Sequence, residues 1–192
     1  MLTIKQPTTA ATENFLQVQR DLPFTYPHAG STKQPNQLAG FDNDLLRVRI
    51  GCGAADFERA KMAVRAWKMF PAGWTKILPE NAPLQPGTSV AMYARFLGFW
   101  WRNACRIVYV VDAPDRFGFA YGTLPGHVER GEELFLVEMQ PDGTVWYVLR
   151  AFSRPRHWVA RLGYPMVRLL QARFRRDSAR QMQVYVHGNA DR

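Results

Sequence analysis

VWYVLRAFSRPRHWVARLGYPMVRLLQARFRRDS, Val145 to Ser178, is the stretch whose reading decides the fold. Its first eight residues, Val145–Phe152, are rich in β-branched and aromatic side chains, as a strand requires. After Ser153 and Pro155 the period changes. Val167, Leu170 and Phe174 recur at helical spacing, and the pattern predicts one long helix from about His157 to Gln183. Ser153, ahead of that helix, is of a type that satisfies free backbone N–H groups at a helix start. Arg168, Arg173, Arg175, Arg176 and Arg180 fall on the remaining face. A long helix with one apolar stripe must bury that stripe against another layer.

Upstream of this stretch lie the strands that supply the layer. WTKIL (Trp74–Leu78), SVAMYARFL (Ser89–Leu97), ACRIVYVVD (Ala104–Asp112), RFGFAYGT (Arg116–Thr123) and ELFLVEM (Glu133–Met139) follow one another with short connections. The connections APD, LPGHVERGE and QPDGT carry the Gly, Pro and Asp that tight turns need. Sequential strands with short links predict an antiparallel meander. Earlier still, Asp44–Ile50 alternates as a strand, and Ala54 to about Phe70 has the period of a helix, with Phe57, Ala60, Val64 and Trp67 on one side. Residues 1–40 are polar and mixed. They are expected to form a short helix near Thr12–Arg20 and a covering loop of the same domain. The expected organisation is α+β: a curved antiparallel sheet of about seven strands wrapped around a long C-terminal helix, a single domain over 41–185, with 186–192 as a tail.

Composition bounds the function classes. The chain has 192 residues with 47% hydrophobic content, enough for a sizeable core. Two cysteines, Cys52 and Cys105, argue against a disulfide scaffold and a Cys-rich zinc module. No basic segment followed by an apolar run opens the chain, and FLGFWW (Phe96–Trp101) is too short to span a bilayer. The expected setting is cytoplasmic. The net charge is +9, from twenty Arg and five Lys against 16 acids. Between Arg150 and Arg180 there are nine arginines and one acid, Asp177. That segment is either a solvated helix face or a surface for RNA or an anionic membrane. It lacks a helix-turn-helix partner, so specific DNA binding has no scaffold. Oligomeric state is open, with Trp100 and Trp101 as candidate exposed aromatics.

Candidate chemistry concentrates in YGTLPGHVERGEE, Tyr121–Glu133. His127 with Glu129, Glu132 or Glu133 offers acid–base catalysis, because a carboxylate beside an imidazole orients it. His127-Val-Glu129 has the His-x-Glu form of zinc deaminases, but two neighbouring cysteine ligands are missing, so no metal is expected. GCGAADFERA, from Gly51, follows a strand and opens a helix like a dinucleotide fingerprint. Asp56 stands where the third glycine belongs, and no βαβ units follow, so no nucleotide cofactor is expected either. No nucleophile elbow and no phosphate-binding loop occur. Aromatic strand positions, Tyr93, Phe119, Tyr121 and Trp146 among them, either fill a core or line a cavity between sheet and helix. Arg150 alternates with Trp146 and Val148. On an inner face it would be a part-buried cation in need of a carboxylate such as Glu133 or Glu138, or of an anionic ligand group.

The element order resembles the helix-grip architecture of the START and birch-pollen-allergen superfamily. GCGAADFERA, WKMF, GTSVA, CRIVYVVD, RFGFAYGTLPGH, RGEE and the opening stretch together resemble the uncharacterised family catalogued as domain of unknown function 1990, over about residues 22 to 182. The resemblance implies a helix-grip fold and carries no catalytic residues with it. The leading expectation is a binding module. Tyr93, Phe119, Tyr121, Trp146, Arg150 and Ser153 would contact a small hydrophobic or amphipathic molecule, with the His127 loop at the rim. The alternatives are an enzyme using the same cavity and a surface binder using the arginine-rich helix.

Overall fold

The computed structural model describes residues 2–4 and 7–188. The chain runs β1 (Leu2–Thr3), α1 (Thr9–Gln19), a 3-10 turn at Ser31–Lys33, β2 (Asp42–Cys52), α2 (Gly53–Arg65), β3 (Thr75–Leu78), β4 (Ser89–Phe96), β5 (Phe99–Ala113), β6 (Arg116–Thr123), β7 (Glu129–Met139), β8 (Thr144–Pro155), α3 (Trp158–Leu162) and α4 (Tyr164–His187). Seven strands form one antiparallel sheet in the order β2-β8-β7-β6-β5-β4-β3, and the two-residue β1 adds to β5. From β3 to β8 the order is that of the chain, so each strand pairs with its successor. The first long strand, β2, then closes on the last.

Both faces of the sheet are covered. On the inner face Phe117, Phe119, Phe135, Tyr147 and Leu149 pack against Phe57, Ala60 and Val64 of α2 and Met182 and Val186 of α4. The helical spacing of those α2 residues is what lets one short helix fill that end of the core. On the outer face Leu78, Ala91, Tyr93 and Trp100 pack beneath Phe15 and Leu16 of α1. The outer layer also takes in the N-terminal loop, through Glu132. Its buried carboxylate, 2% exposed, accepts from Tyr26 Oη at 2.8 Å, Gly30 N at 2.7 Å, Thr32 N at 3.0 Å and the Thr32 hydroxyl. The loop before β2 lies against the sheet at Glu132, on the side away from the long helices.

Several boundaries differ from the sequence reading. The terminal helix is broken at Gly163 into α3 and α4. Pro165 has no N–H to donate and its ring crowds the carbonyl four residues back, so it belongs in a first turn. β5 begins at Phe99, five residues before the predicted start. Leu97 and Gly98, with φ of 50° and 80°, form a two-residue hairpin turn that pairs Phe96 with Phe99. FLGFWW is therefore a hairpin tip, and Trp100 is only 8% exposed. α2 ends at Arg65, where the chain turns through Trp67 with φ of 56°. The Trp67 indole N–H donates to Ala82 O at 2.9 Å, anchoring that turn in the core.

At the start of α2, Asp56 Oδ2 accepts from Cys52 N at 2.7 Å. A Cβ on Gly51 would sit 2.5 Å from that carboxylate oxygen, so the glycine makes room for the cap. This is a helix start stabilised by an acid at its positive end, not a phosphate cradle. Among the described residues no helix is long and apolar enough to cross a membrane.

Candidate functional site

β7 begins at Glu129, four residues ahead of the predicted Glu133. The connection from β6 is thus only Leu124–Val128, and the three glutamates stand on a strand. Period-two alternation then decides their roles. Glu132 points to the outer face and holds the N-terminal loop. Glu129 and Glu133 point inward. Gly131, between them, donates its N–H to Thr123 Oγ1 at 2.9 Å. A Cβ there would lie 1.9 Å from Phe152 O, so only glycine allows β7 and β8 to run this close.

Inward, the sheet, α3 and the first half of α4 enclose a cavity of about 420 Å³. Trp74, Met92, Phe96, Trp101, Leu170 and Phe174 give it an apolar wall. Its polar side is built from Asp44, Tyr121, His127, Glu129, Glu133, Ser153, Gln171 and Arg175. These groups are tied together. Tyr121 Oη donates to Glu133 Oε2 at 2.8 Å. Gln171 Nε2 donates to both oxygens of Glu129, at 2.9 and 3.0 Å, and to Ser153 Oγ at 3.0 Å. Asp44 receives Arg168 at 2.8 Å and Arg175 at 2.9 Å, which clamps α4 to β2.

Burial pushes Glu129 and Glu133 up to about 7, against the opposing pull of Gln171 and Arg168 on the first, and of Tyr121 and Arg175 on the second. Glu129 and Asp44 also repel a charge on Glu133, and Asp42 and Asp44 repel one on Glu129. His127 goes the other way. Desolvation lowers it to about 4, so it is a neutral imidazole at neutral pH. Its Nδ1 accepts from the backbone N–H of Glu129 at 2.9 Å, which places the remaining ring proton on Nε2. The histidine is thus held by a main-chain amide and not by a glutamate side chain. Acid–base capacity near neutrality belongs to the two carboxyls.

Of the residues expected to touch a ligand, Tyr121 and Ser153 line the cavity, as do His127, Glu129 and Glu133. Four do not. Phe119 is fully buried against Trp67 and Phe135 in the packed core. Tyr93 lies on the outer face and hydrogen-bonds Thr12 of α1 at 2.7 Å. Trp146 and Arg150 are also outer-face residues. Arg47 stacks on the Trp146 indole, 3.9 Å from its centre, while Arg150 donates to Thr32 O at 2.9 Å. Alternation along β8 sends Tyr147, Leu149, Ala151 and Ser153 inward instead. The arginine-rich helix is partly neutralised: Arg168 and Arg175 turn in to Asp44, and Arg173 and Arg176 share Asp177. Sequence reasoning missed Asp44, Trp101, Gln171 and Arg175. Gln171 stands one turn from both Val167 and Phe174, so the helical stripe itself carried the signal for it.

Fold and site together define a helix-grip domain that encloses an apolar cavity with one carboxyl-bearing side. The chain belongs to the family described as Domain of unknown function (DUF1990), whose profile matches residues 25–181. It is 31% identical over 210 residues to a UPF0548 protein of Dictyostelium discoideum, covering 98% of this chain and 97% of the other. A UPF0548 protein of Deinococcus radiodurans is 36% identical over 194 residues, covering 95% and 97%. Among solved structures, the hypothetical protein jhp0584 of Helicobacter pylori superposes with a TM-score of 0.57 at 12% identity, over 85% of this chain and 96% of that one. The di-domain ARO/CYC StfQ of the steffimycin biosynthetic pathway gives 0.53 at 9% identity, over 94% and 56%. Those two likenesses establish the fold.

Proposed function

We propose that the protein binds a small amphipathic molecule in the cavity between sheet and α4, in a cytoplasmic setting. The single observation that carries this is the cavity: about 420 Å³, walled by Trp74, Phe96, Trp101 and Phe174, with polar groups gathered on one side. That size and mixture are those of small-molecule sites. The apolar body of the ligand rests on the aromatic wall, and its polar group reaches Glu129, Glu133, Ser153 and the His127 Nε2–H. StfQ, a fold neighbour from a biosynthetic pathway, supports reading such a domain as a handler of small molecules. Two free cysteines, Cys52 exposed and Cys105 buried, support the reducing compartment. Native mass spectrometry of the purified full chain tests the proposal, together with binding of a fluorescent anilinonaphthalene probe. A co-purified mass, or a saturable probe signal lost on cavity filling, is expected. A chain that carries no ligand and takes up no probe overturns it.

A second reading is favoured by Glu129 and Glu133. Carboxyls raised to about 7 are poised to give and take protons at neutral pH, so the same cavity is suited to acid–base catalysis. In that reading a glutamate, not His127, moves the proton.

A further inference from the structure

We infer that the corner formed by the end of β8, α3 and the start of α4 is a docking surface for an anionic phospholipid bilayer. This goes beyond ligand binding and stands whatever the cavity holds. Trp158 and Leu162, one turn apart on α3, are 65% and 78% exposed, and Leu169 on α4 is 64% exposed. Met166, one turn before Leu169, is 44% exposed. These large apolar side chains follow closely along the chain from Trp158 to Leu169, where single exposed leucines elsewhere would need no explanation, and Met166 also borders the cavity. Just beside it, Arg154, Pro155, Arg161 and Tyr164 frame a shallow basin. Among the described residues neither Arg154 nor Arg161 has an ion-pair partner. Several other arginines of the chain are matched, Arg47 to Glu138, Arg59 to Asp56, and Arg168 and Arg175 to Asp44.

Tryptophan and leucine next to unpaired arginines is the chemistry of a segment lying in a membrane interface. The apolar side chains enter the acyl boundary, and the guanidiniums meet lipid phosphates, which they bind with forked donors. The net charge of +9 favours an anionic surface over a neutral one. α3 is also two-faced. Its Ala160 lines the cavity, as does the adjoining Gly163, while Trp158 and Leu162 are exposed, so docking brings one wall of the cavity to the bilayer.

Vesicle flotation of the full chain tests this, with phosphatidylcholine vesicles compared with vesicles that also contain phosphatidylserine. Binding to the anionic vesicles is expected, weakening as salt rises. Trp158→Ser with Leu162→Ser lowers it about tenfold or more. Arg154→Gln and Arg161→Gln each lower it about fivefold. Arg173→Gln with Arg176→Gln, on the far part of α4, leaves it unchanged. As a second measurement, Leu162→Cys in a Cys52→Ser background carries an environment-sensitive dye, whose emission shifts to the blue on anionic vesicles. No binding, no dye shift, or equal loss in the Arg173/Arg176 variant overturns the inference. So does tight binding to RNA that ignores the Trp158/Leu162 change and exceeds binding to vesicles.

Discussion

Tyr121 and Glu133 face each other across β6 and β7, and the phenol donates to the carboxyl at 2.8 Å inside the cavity wall. Burial raises both groups above their usual ranges, so at neutral pH the phenol keeps its proton and Glu133 is only partly ionised. Tyr121→Phe removes the donor and leaves the carboxyl in place. The Glu133 titration then moves above about 7, because the lost hydrogen bond had favoured its charged form. Carboxyl carbon NMR reads that shift. Urea unfolding at a pH above the midpoint reads a loss of about 1–3 kcal/mol.

The pair with Glu129 gives a pH signature. Both carboxyls have folded values near 7 against 4.5 when free, so the folded state binds more protons than the unfolded one between those limits. Their contribution to stability is complete below about 4.5 and is lost as pH rises through about 7. Melting temperature should fall from pH 6.5 to pH 8, above the range in which buried His127, lowered from 6.5 to about 4, adds stability as pH rises. Glu129→Gln and Glu133→Gln should each flatten the fall. Their effects should not add, since each charge raises the cost of the other. A wild-type profile that rises over this range contradicts the burial argument.

The fold was legible in the sequence because period and punctuation agreed. Seven strands, the helix after β2 and the apolar stripe of α4 all follow from spacing. The facing of individual strands was less legible. β8 reads Val-Trp-Tyr-Val-Leu-Arg-Ala-Phe-Ser, apolar on both faces, because α1 and the N-terminal loop bury the outer face while the long helices bury the inner one. Alternation alone does not say which set is inner, so it does not separate Trp146 and Arg150, which face outward, from Tyr147 and Ala151, which face inward. The glutamates were hidden by a different effect. Gly131 and Pro125 look like loop punctuation, yet Gly131 is there to let two strands approach. Gln171 and Arg175 sit on a helix, but what makes them part of the site is β2 and β7, distant in sequence.

Glu132 separates structure from site. It holds the N-terminal loop through Tyr26, Gly30 and Thr32 on the outer face, with no side-chain hydrogen bond into the cavity polar cluster. Glu132→Ala leaves two buried hydroxyls and two amides without their acceptor, and should cost about 3 kcal/mol or more in chemical unfolding. Limited proteolysis should cut the variant within residues 21–41 long before the wild type. Probe binding in the cavity, measured below the unfolding range, should persist. Simultaneous loss of probe binding would mean that the two faces of β7 are not independent.

Ala151 lies between Asp44 and Glu133 in register, and its methyl faces the cavity. Ala151→Leu therefore adds three carbons to empty space and not to a packed core. Its cost in stability should stay under about 1 kcal/mol. Ala60 of α2 is fully buried in the main cluster, so Ala60→Leu must displace neighbours and should cost about 1–3 kcal/mol or more. Binding should show the reverse order. Ala151→Leu puts its side chain where the ligand's apolar body rests, beside the carboxyls that meet its polar group, and should weaken the anilinonaphthalene probe at least about tenfold. Ala60→Leu, on the far side of the core, should leave the probe affinity near that of wild type. Fluorescence titration and urea unfolding on the same two variants check both halves. If Ala151→Leu proves as costly as Ala60→Leu, the space above Ala151 is not free to hold a ligand.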